Sequence, residues 1–249
     1  MVSLNQKLVW VFSLLMTTSF LSGCIQNSNG EDLQFEVEAN LDGLRVVEIY
    51  EETVLIDTLS ATMTFDFSSL QGKDIEEIGL TVGNYTISTD EPANDDWRLD
   101  LSLENHGLYQ IDAYAISSVS TYTQTFTAGI DLEIVWTENN TNEPSDIEFN
   151  PIPQTGEYAD YFLVNSSITN PESILEFGQG QSVDFTWLMI EPSGDSCQSQ
   201  SGTADNGATS SWETIHFNTL EPHSLRVNYD EGQDRIDVRH VITVGYSTE

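Results

Sequence analysis

The side chains of this sequence that could do chemistry are four histidines, two cysteines and a large excess of carboxylates. Two histidines occupy the same place in similar segments, LENHGL around His106 and LEPHSL around His223. Each follows a glutamate by two residues, Glu104 or Glu221, and zinc accepts imidazole and carboxylate donors. A zinc site needs three or four donors, however, and neither segment supplies enough of them. We interpret both as turn histidines that precede a strand, and His240 as a hydrogen-bonded residue at the edge of the core.

Two acidic loops form a second candidate site. The segment DEPANDD contributes Asp90, Asp95 and Asp96, and DEGQD contributes Asp230 and Asp234. Calcium takes six to eight oxygen ligands, which loops between strands can supply. Neither segment has the spacing of an EF-hand loop, and an acid-rich chain forms such clusters by chance. The sequence therefore predicts no cofactor, with calcium at these five aspartates as the alternative.

Motifs of known catalytic chemistry do not occur in the sequence. There is no Gly-x-Ser-x-Gly elbow, no His-Glu-x-x-His and no phosphate-binding loop. Cys197 lies in the polar segment SGDSCQSQSG and is interpreted as an inert thiol. A pair of carboxylates could catalyse glycoside hydrolysis, but only if the two groups lie at a particular distance in space, which the sequence does not give. The chain is therefore predicted not to be an enzyme, with a secreted hydrolase as an alternative.

The N-terminus has the layout of a secretory signal peptide. A short polar start with one positive charge, Lys7, precedes the uncharged run LVWVFSLLMTTSFLS. This run is shorter than the ~20 residues that a membrane-spanning helix needs. LSGC, Leu21 to Cys24, resembles the lipobox of prokaryotic lipoproteins. The resemblance implies cleavage between Gly23 and Cys24 and a diacylglycerol on the Cys24 thiol; the alternative is an ordinary signal peptide in which Cys24 is incidental.

A lipidated Cys24 would fix where the protein is found. The mature chain would be held to the cell membrane, facing outside the cytoplasm, by a lipid attached to its first residue. The polar residues 25–32 would form a solvated tether. Lipidation would also leave Cys197 without an intramolecular partner, so no disulfide framework is expected.

The composition limits the partners of the chain. It has 41 acidic and 7 basic residues and a net charge of -34, which repels nucleic acid and anionic lipid headgroups. The acids are spread along the chain, which favours solubility in salt over cation binding as their role. Three sequons, at Asn84, Asn139 and Asn165, would be glycan acceptors if the source cell has that machinery.

Alternation of apolar and polar residues dominates the sequence and predicts half-buried strands. The clearest runs are WRLDLSLE from Trp97, IDLEIVW from Ile130, VDFTWLM from Val183 and IDVRHVITVGY from Ile236. Turn-forming clusters separate them, and only SSLQGKDIEEIG, from Ser68 to Gly79, could hold a short helix. This pattern predicts an all-β sandwich or barrel.

The alternation breaks in the segment from Thr137 to Gly156, which contains three prolines and several asparagines. Proline removes a donor from a strand ladder, so we predict a linker there. The predicted organisation is a cleaved signal helix at 1–23, a tether at 24–32, β-sandwiches at 33–137 and 157–249, and a linker at 138–156.

Both predicted sandwiches resemble the PKD-like and immunoglobulin-like modules of prokaryotic surface proteins. FTWLMIEPSGD, from Phe185 to Asp195, corresponds to the WDFGDG segment of PKD modules, and HGLYQI, from His106 to Ile111, to their glycine-tyrosine pair. The resemblance implies two tandem immunoglobulin-like or PKD-like β-sandwich domains. Such modules are mostly spacers, adhesion units or glycan-binding accessories.

These observations predict a lipid-anchored surface protein with a structural, adhesion or spacer role. Its expected partners are the membrane, through the anchor, and surface glycans or other surface proteins. The alternative is a solute- or glycan-binding lipoprotein that uses the domain junction, where Tyr158, Tyr161 and Phe162 fall. The other interpretation of these aromatics, which we favour, is packing in the core of the second sandwich.

Overall fold

The computed structural model describes residues 35–90, 97–153, 157–172, 180–232 and 235–248. The first predicted sandwich is built from strands β1 (Glu38–Ala39), β2 (Arg45–Glu51), β3 (Val54–Leu59), β4 (Ala61–Asp66), β5 (Ile75–Val82), β6 (Tyr85–Asp90), β7 (Arg98–Leu103), β8 (Gly107–Ser117) and β9 (Thr121–Thr141). The later strands are β10 (Ile147–Phe149), β11 (Tyr161–Thr169), β12 (Val183–Ile190), β13 (Ser196–Ala204), β14 (Thr209–His216), β15 (His223–Glu231) and β16 (Ile236–Gly245). The predicted signal peptide and tether lie outside the described residues. Within the described ranges, no helix is long and apolar enough to cross a membrane.

The all-β prediction is confirmed, and the predicted alternation matches the observed burial. On β12, Val183, Phe185, Trp187 and Met189 are all buried, and the residues between them are partly exposed. Strand β16 and Tyr246, which follows it, bury all six predicted positions from Ile236 to Tyr246, including His240. The segment predicted as a short helix holds only a 3-10 turn, Ser68–Leu70, because Ile75–Val82 follows it as a strand with Ile78 and Leu80 buried.

The described strands pair into three sheets. The largest has nine strands in the order β14-β11-β16-β9-β8-β5-β6, with β2 joined to β9 and β3 joined to β2. The smaller sheets have the orders β1-β4-β7 and β10-β15-β12-β13. Most pairs are antiparallel, but β2 runs parallel to β9.

Each small sheet packs on a different part of the large one. Phe65 of β4 meets Phe126 of β9, with ring centroids 5.3 Å apart. In the second half, one hydrophobic cluster joins Trp187 of β12 to Ile168 of β11 and Val238 of β16. The chain is therefore a pair of two-layer β-sandwiches that share one large sheet, and apolar faces are buried between the layers.

The structure differs from the expected linker at 138–156. Strand β9 continues to Thr141, and β10 occupies 147–149. The strand continues because its backbone pairs with β16 as far as Thr141. Glu138 is buried on this extension, where its carboxylate accepts hydrogen bonds from the Trp136 indole at 2.8 Å and from the Ser145 backbone N–H at 3.0 Å. Antiparallel pairing of β9 with β16 then joins the two halves in one sheet.

Candidate functional site

Several predicted site residues lie outside the described residues. These are Gly23 and Cys24 of the lipobox, and Asp95, Asp96 and Asp234 of the two acidic loops. Asp90 ends β6, and Asp230 lies exposed on β15, where it accepts a hydrogen bond from the Thr186 hydroxyl at 3.1 Å. Calcium binding by the five aspartates stays a prediction.

The three sequon asparagines are exposed. Asn84 lies in the turn between β5 and β6, Asn139 near the end of β9 and Asn165 in the middle of β11. Their glycosylation stays a prediction.

Two of the histidines singled out in the sequence, His106 and His240, form hydrogen bonds within the fold and do not belong to the cluster of potential metal ligands described below. His106 precedes β8, and its Nδ1 lies 2.7 Å from the Tyr246 hydroxyl, while partial burial lowers its pKa. His240 is 1% exposed, and its Nδ1 lies 2.8 Å from the Ser166 hydroxyl. The hydrogen-bonded role expected for His240 is confirmed, although the residue lies inside the core and not at its edge.

His223 belongs to a cluster that the sequence did not reveal. Glu191, Cys197, His216 and His223 each direct one potential metal-ligand atom into a space where all four atoms lie within 4.8 Å of one another. We call these four residues the Glu-Cys-His-His cluster. Its members come from two short segments of the sequence, 191–197 and 216–223, which are adjacent in space.

The ends of four strands position the cluster. Glu191 immediately follows β12, and Cys197 is the second residue of β13, so the tight turn between these strands brings the two together. The Glu191 carbonyl accepts from the Gly194 N–H at 2.8 Å, and Gly194 has a φ of 87°, which favours glycine. His216 ends β14 and His223 begins β15.

The two sheets of the second half contribute unequally to the cluster. Glu191, Cys197 and His223 come from the β10-β15-β12-β13 sheet, whereas His216 lies on β14, an edge strand of the nine-stranded sheet. The cluster therefore bridges the two layers of the sandwich.

Aromatic side chains surround the two imidazoles. Phe162, which is fully buried, stacks parallel to His216 at 6.3 Å between ring centroids and lies 5.2 Å from His223. Phe149, 2% exposed, stacks on His223 at 6.3 Å. The core interpretation of Phe162 is confirmed, and this apolar surrounding lowers the local dielectric constant.

One hydrogen bond sets the tautomer of the His223 imidazole. His223 is 3% exposed, and its Nδ1–H donates to the backbone carbonyl of Glu221 at 2.8 Å. A carbonyl can only accept, so in the neutral ring Nε2 carries the free lone pair. Among the described residues, no group forms a hydrogen bond with this buried Nε2 or with the buried Nε2 of His216.

The remaining contacts of the cluster are polar. Gln198 Nε2 lies 3.4 Å from His216 Nδ1, and the Cys197 thiol donates to the Met189 carbonyl at 3.4 Å. Burial raises the pKa of Cys197, and the charge of Glu191 raises it further. Burial also lowers the pKa of His216, as does the neighbouring His223, while Glu191 acts in the opposite direction.

Sequence reasoning missed this cluster for a specific reason. It paired His223 with Glu221, whose backbone and not its carboxylate contacts the ring, and it interpreted Cys197 as inert. The turn between Glu191 and Cys197 was visible in the sequence. The approach of His216 to that turn depends on the packing of one sheet on the other, which no local spacing encodes.

A polar cavity of about 410 Å³ lies where residues from both halves meet. Its lining includes Glu52 and Glu138 from the first half and Arg235 from the second. Of the aromatics expected near the junction, Phe162 is in the core and Tyr158 is 50% exposed.

Comparisons with known proteins identify no relative by sequence. No protein family matches the chain, and no curated protein matches it at a significant level. Among solved structures, β-glucuronidase 2 of Bacteroides uniformis is 7% identical over 85% of this chain and 30% of its own, with a TM-score of 0.30. A carbohydrate-binding module of the β-sandwich superfamily is 8% identical over 76% of this chain and 92% of its own, at 0.28. These TM-scores are too low for any inference about function.

Proposed function

We propose that this chain is an exported lipoprotein, anchored in the cell membrane through Cys24, with a structural, adhesion or spacer role and no enzymatic activity of its own. The observation that carries the proposal is the segment LSGC at the end of a charge-free run that follows Lys7. Surface glycans or other surface proteins are its proposed partners.

The energetics of a lipid anchor suit this architecture. A diacylglycerol has two acyl chains, and each buried methylene contributes about 0.8 kcal/mol, so two chains hold a protein stably where one does not. The polar residues 25–32 would then separate the membrane from the described strands, the first of which begins at Glu38.

The charge of the chain also fits attachment by lipid. The chain has a net charge of -34, so the folded part is repelled by anionic headgroups and gains nothing from lying on them. The lipid, rather than the protein surface, would therefore supply the affinity for the membrane. The folded part would extend into the surrounding solution.

Substitution of Cys24 tests the anchor. In a bacterial host that processes lipoproteins, the wild-type chain is expected in the membrane fraction and in the detergent phase of a two-phase extraction. The Cys24→Ser variant is expected to lose both properties, because serine offers no thiol for the lipid. Val119→Ser, at a residue that is 86% exposed, is the control and keeps them.

Mass spectrometry gives the decisive result. The expected mature protein begins at residue 24 and carries the mass of a diacylglycerol on that residue. A mature protein with an intact leader or an unmodified Cys24 would overturn the proposal, as would a Cys24→Ser variant that remains in the membrane.

A further inference from the structure

We propose that Glu191, Cys197, His216 and His223 bind one Zn²⁺ ion, which joins the two layers of the second sandwich. This site goes beyond the proposed surface role and does not depend on the lipid anchor. It rests on the donor set, on the free imidazole nitrogens and on the position of the cluster between the sheets.

The donor set selects the class of metal. One thiolate, two imidazoles and one carboxylate are ligands of Zn²⁺, which is most often bound by four such groups in a tetrahedron. Calcium and magnesium take oxygen ligands, so a set with one sulfur and two nitrogens disfavours both. The ligand atoms lie within 4.8 Å of one another, close enough to contract around an ion with small side-chain movements.

The free imidazole nitrogens are the independent evidence for a ligand. A buried nitrogen without a hydrogen-bond partner costs free energy unless something binds it, and among the described residues both Nε2 atoms of the cluster lack a partner. His223 is held by its bond to the Glu221 carbonyl in the tautomer whose Nε2 can bind a metal. This arrangement, in which the second nitrogen donates to a carbonyl, is typical of metal-binding histidines.

The charges of the site balance. A thiolate and a carboxylate carry two negative charges, and Zn²⁺ neutralises them while both imidazoles remain neutral. Binding therefore releases the thiol proton, as expected for a thiolate site.

The place of the cluster defines what the ion would do. Strands β13 and β14 are edge strands of the two sheets. Ala204 is buried and Trp212 packs partly buried against the core, but the Cys197 end of β13 and the His216 end of β14 contain no buried apolar residue. Apolar burial therefore contributes little at these two strand ends. An ion bound by Cys197 of β13 and His216 of β14 would connect them directly, and four protein ligands would leave it no open position for catalysis.

The first measurement is the metal content and stability of the full-length protein. Elemental analysis of the protein as isolated is expected to give one zinc per chain. After treatment with a chelator, the thermal midpoint should fall, and added Zn²⁺ should restore it, because a ligand that binds the native state raises the midpoint. Excess Ca²⁺ should not replace Zn²⁺.

Variants of the cluster identify the ligands. Cys197→Ser and His223→Gln are each expected to weaken Zn²⁺ binding by at least about 100-fold, since even second-layer changes at zinc sites cost 10–100-fold. Co²⁺ should give thiolate-to-metal charge-transfer absorption in the wild type and none in Cys197→Ser. His106→Gln is the matched control, because His106 contacts Tyr246 and lies outside the cluster.

Three results would overturn the proposal. The first is a wild-type protein that binds no stoichiometric zinc in the presence of excess Ca²⁺. The second is equal zinc affinity in the wild type, Cys197→Ser and His223→Gln, which would assign the ion to exposed carboxylates. The third is copper in place of zinc as the metal of the isolated protein. If Cys197→Ser does not fold, judged by circular dichroism, His223→Gln and Glu191→Gln provide the same test.

Discussion

At the scale of single residues, the environment of a histidine decides its chemistry. His240 packs inside the large sheet, where its Nδ1 lies 2.8 Å from the Ser166 hydroxyl, and burial lowers its pKa to about 3. His216 and His223 face a thiol and a carboxylate instead. The sequence showed that His240 lies on an apolar strand face, since alternation is local. It did not show the Glu-Cys-His-His cluster, because that depends on contact between sheets.

The buried His240 makes the stability of the protein depend on pH. The unfolded chain binds a proton at this residue near pH 6.5, whereas the folded chain does not until about pH 3. Between these values the unfolded state binds more protons, so the free energy of unfolding falls as the pH falls, by about 1.4 kcal/mol per pH unit. From about pH 7.5 to about pH 5, this residue alone should cost about 2 kcal/mol.

Urea unfolding of the wild type and of His240→Gln at both pH values measures this contribution. The variant should lose about 2 kcal/mol less than the wild type on acidification, because glutamine has no proton to gain. Titration of the many carboxylates affects both proteins alike and cancels in the difference. Equal pH dependence in the two proteins would contradict the prediction.

At the scale of elements, the strands followed from the sequence but their partners did not. Alternation identified β7, β12 and β16, whose buried faces match the predicted ones. The sequence did not reveal which strands pair. Strand β2 pairs in parallel with β9, which lies at the far end of the first half, and local patterns cannot specify such distant partners. The short strand β10 was missed, although Ile147 and Phe149 are buried on either side of exposed Glu148.

Strand β3 is an exposed apolar edge. Among the described residues it pairs only with β2, and Val54, Leu55, Ile56 and Leu59 are all between 47% and 58% exposed. Such an edge can pair with another chain. The net charge of -34 opposes that association at low salt, and salt screens the repulsion.

We predict that the protein self-associates as the salt concentration rises and that Ile56→Glu suppresses this association. The charged side chain would make pairing at the β3 edge unfavourable. Sedimentation velocity at low and high salt measures the effect. Val119→Glu is the control, because it adds the same charge at a residue that is 86% exposed and lies between β8 and β9. If both variants suppress association equally, net charge and not the β3 edge is responsible.

At the scale of the whole molecule, the nine-stranded sheet joins the two halves. Strand β9 pairs with β8 along its first part and with β2 and β16 along its second part. The sequence predicted one buried apolar face for each half, and both are present. Neither half pairs all of its own strands of this sheet internally, however, because β9 of the first half pairs with β16 of the second. Composition and alternation could predict the two sandwiches and could not predict that they share a sheet.

Expression of separate fragments tests this dependence. Residues 33–137 and 138–249 are each expected to be largely unfolded, since cutting after Thr137 divides β9 and separates β16 from its partner. The loss of cooperative unfolding and of resolved NMR amide signals would show this. Fragments that fold independently would instead support two autonomous domains joined by a linker.

The pairing of β9 with β16 also affects how the protein folds as it is synthesised. Residues 132–137 lie between β2 and β16, and β16 is synthesised much later than either β2 or β9. Until then, an apolar strand that includes Ile134 and Trp136 has an unoccupied side available to other molecules. Contacts so distant in the chain also slow folding. A nascent chain of this design would therefore depend on chaperones. For the proposed export, slow closure would keep it in the extended state that a secretion channel can thread.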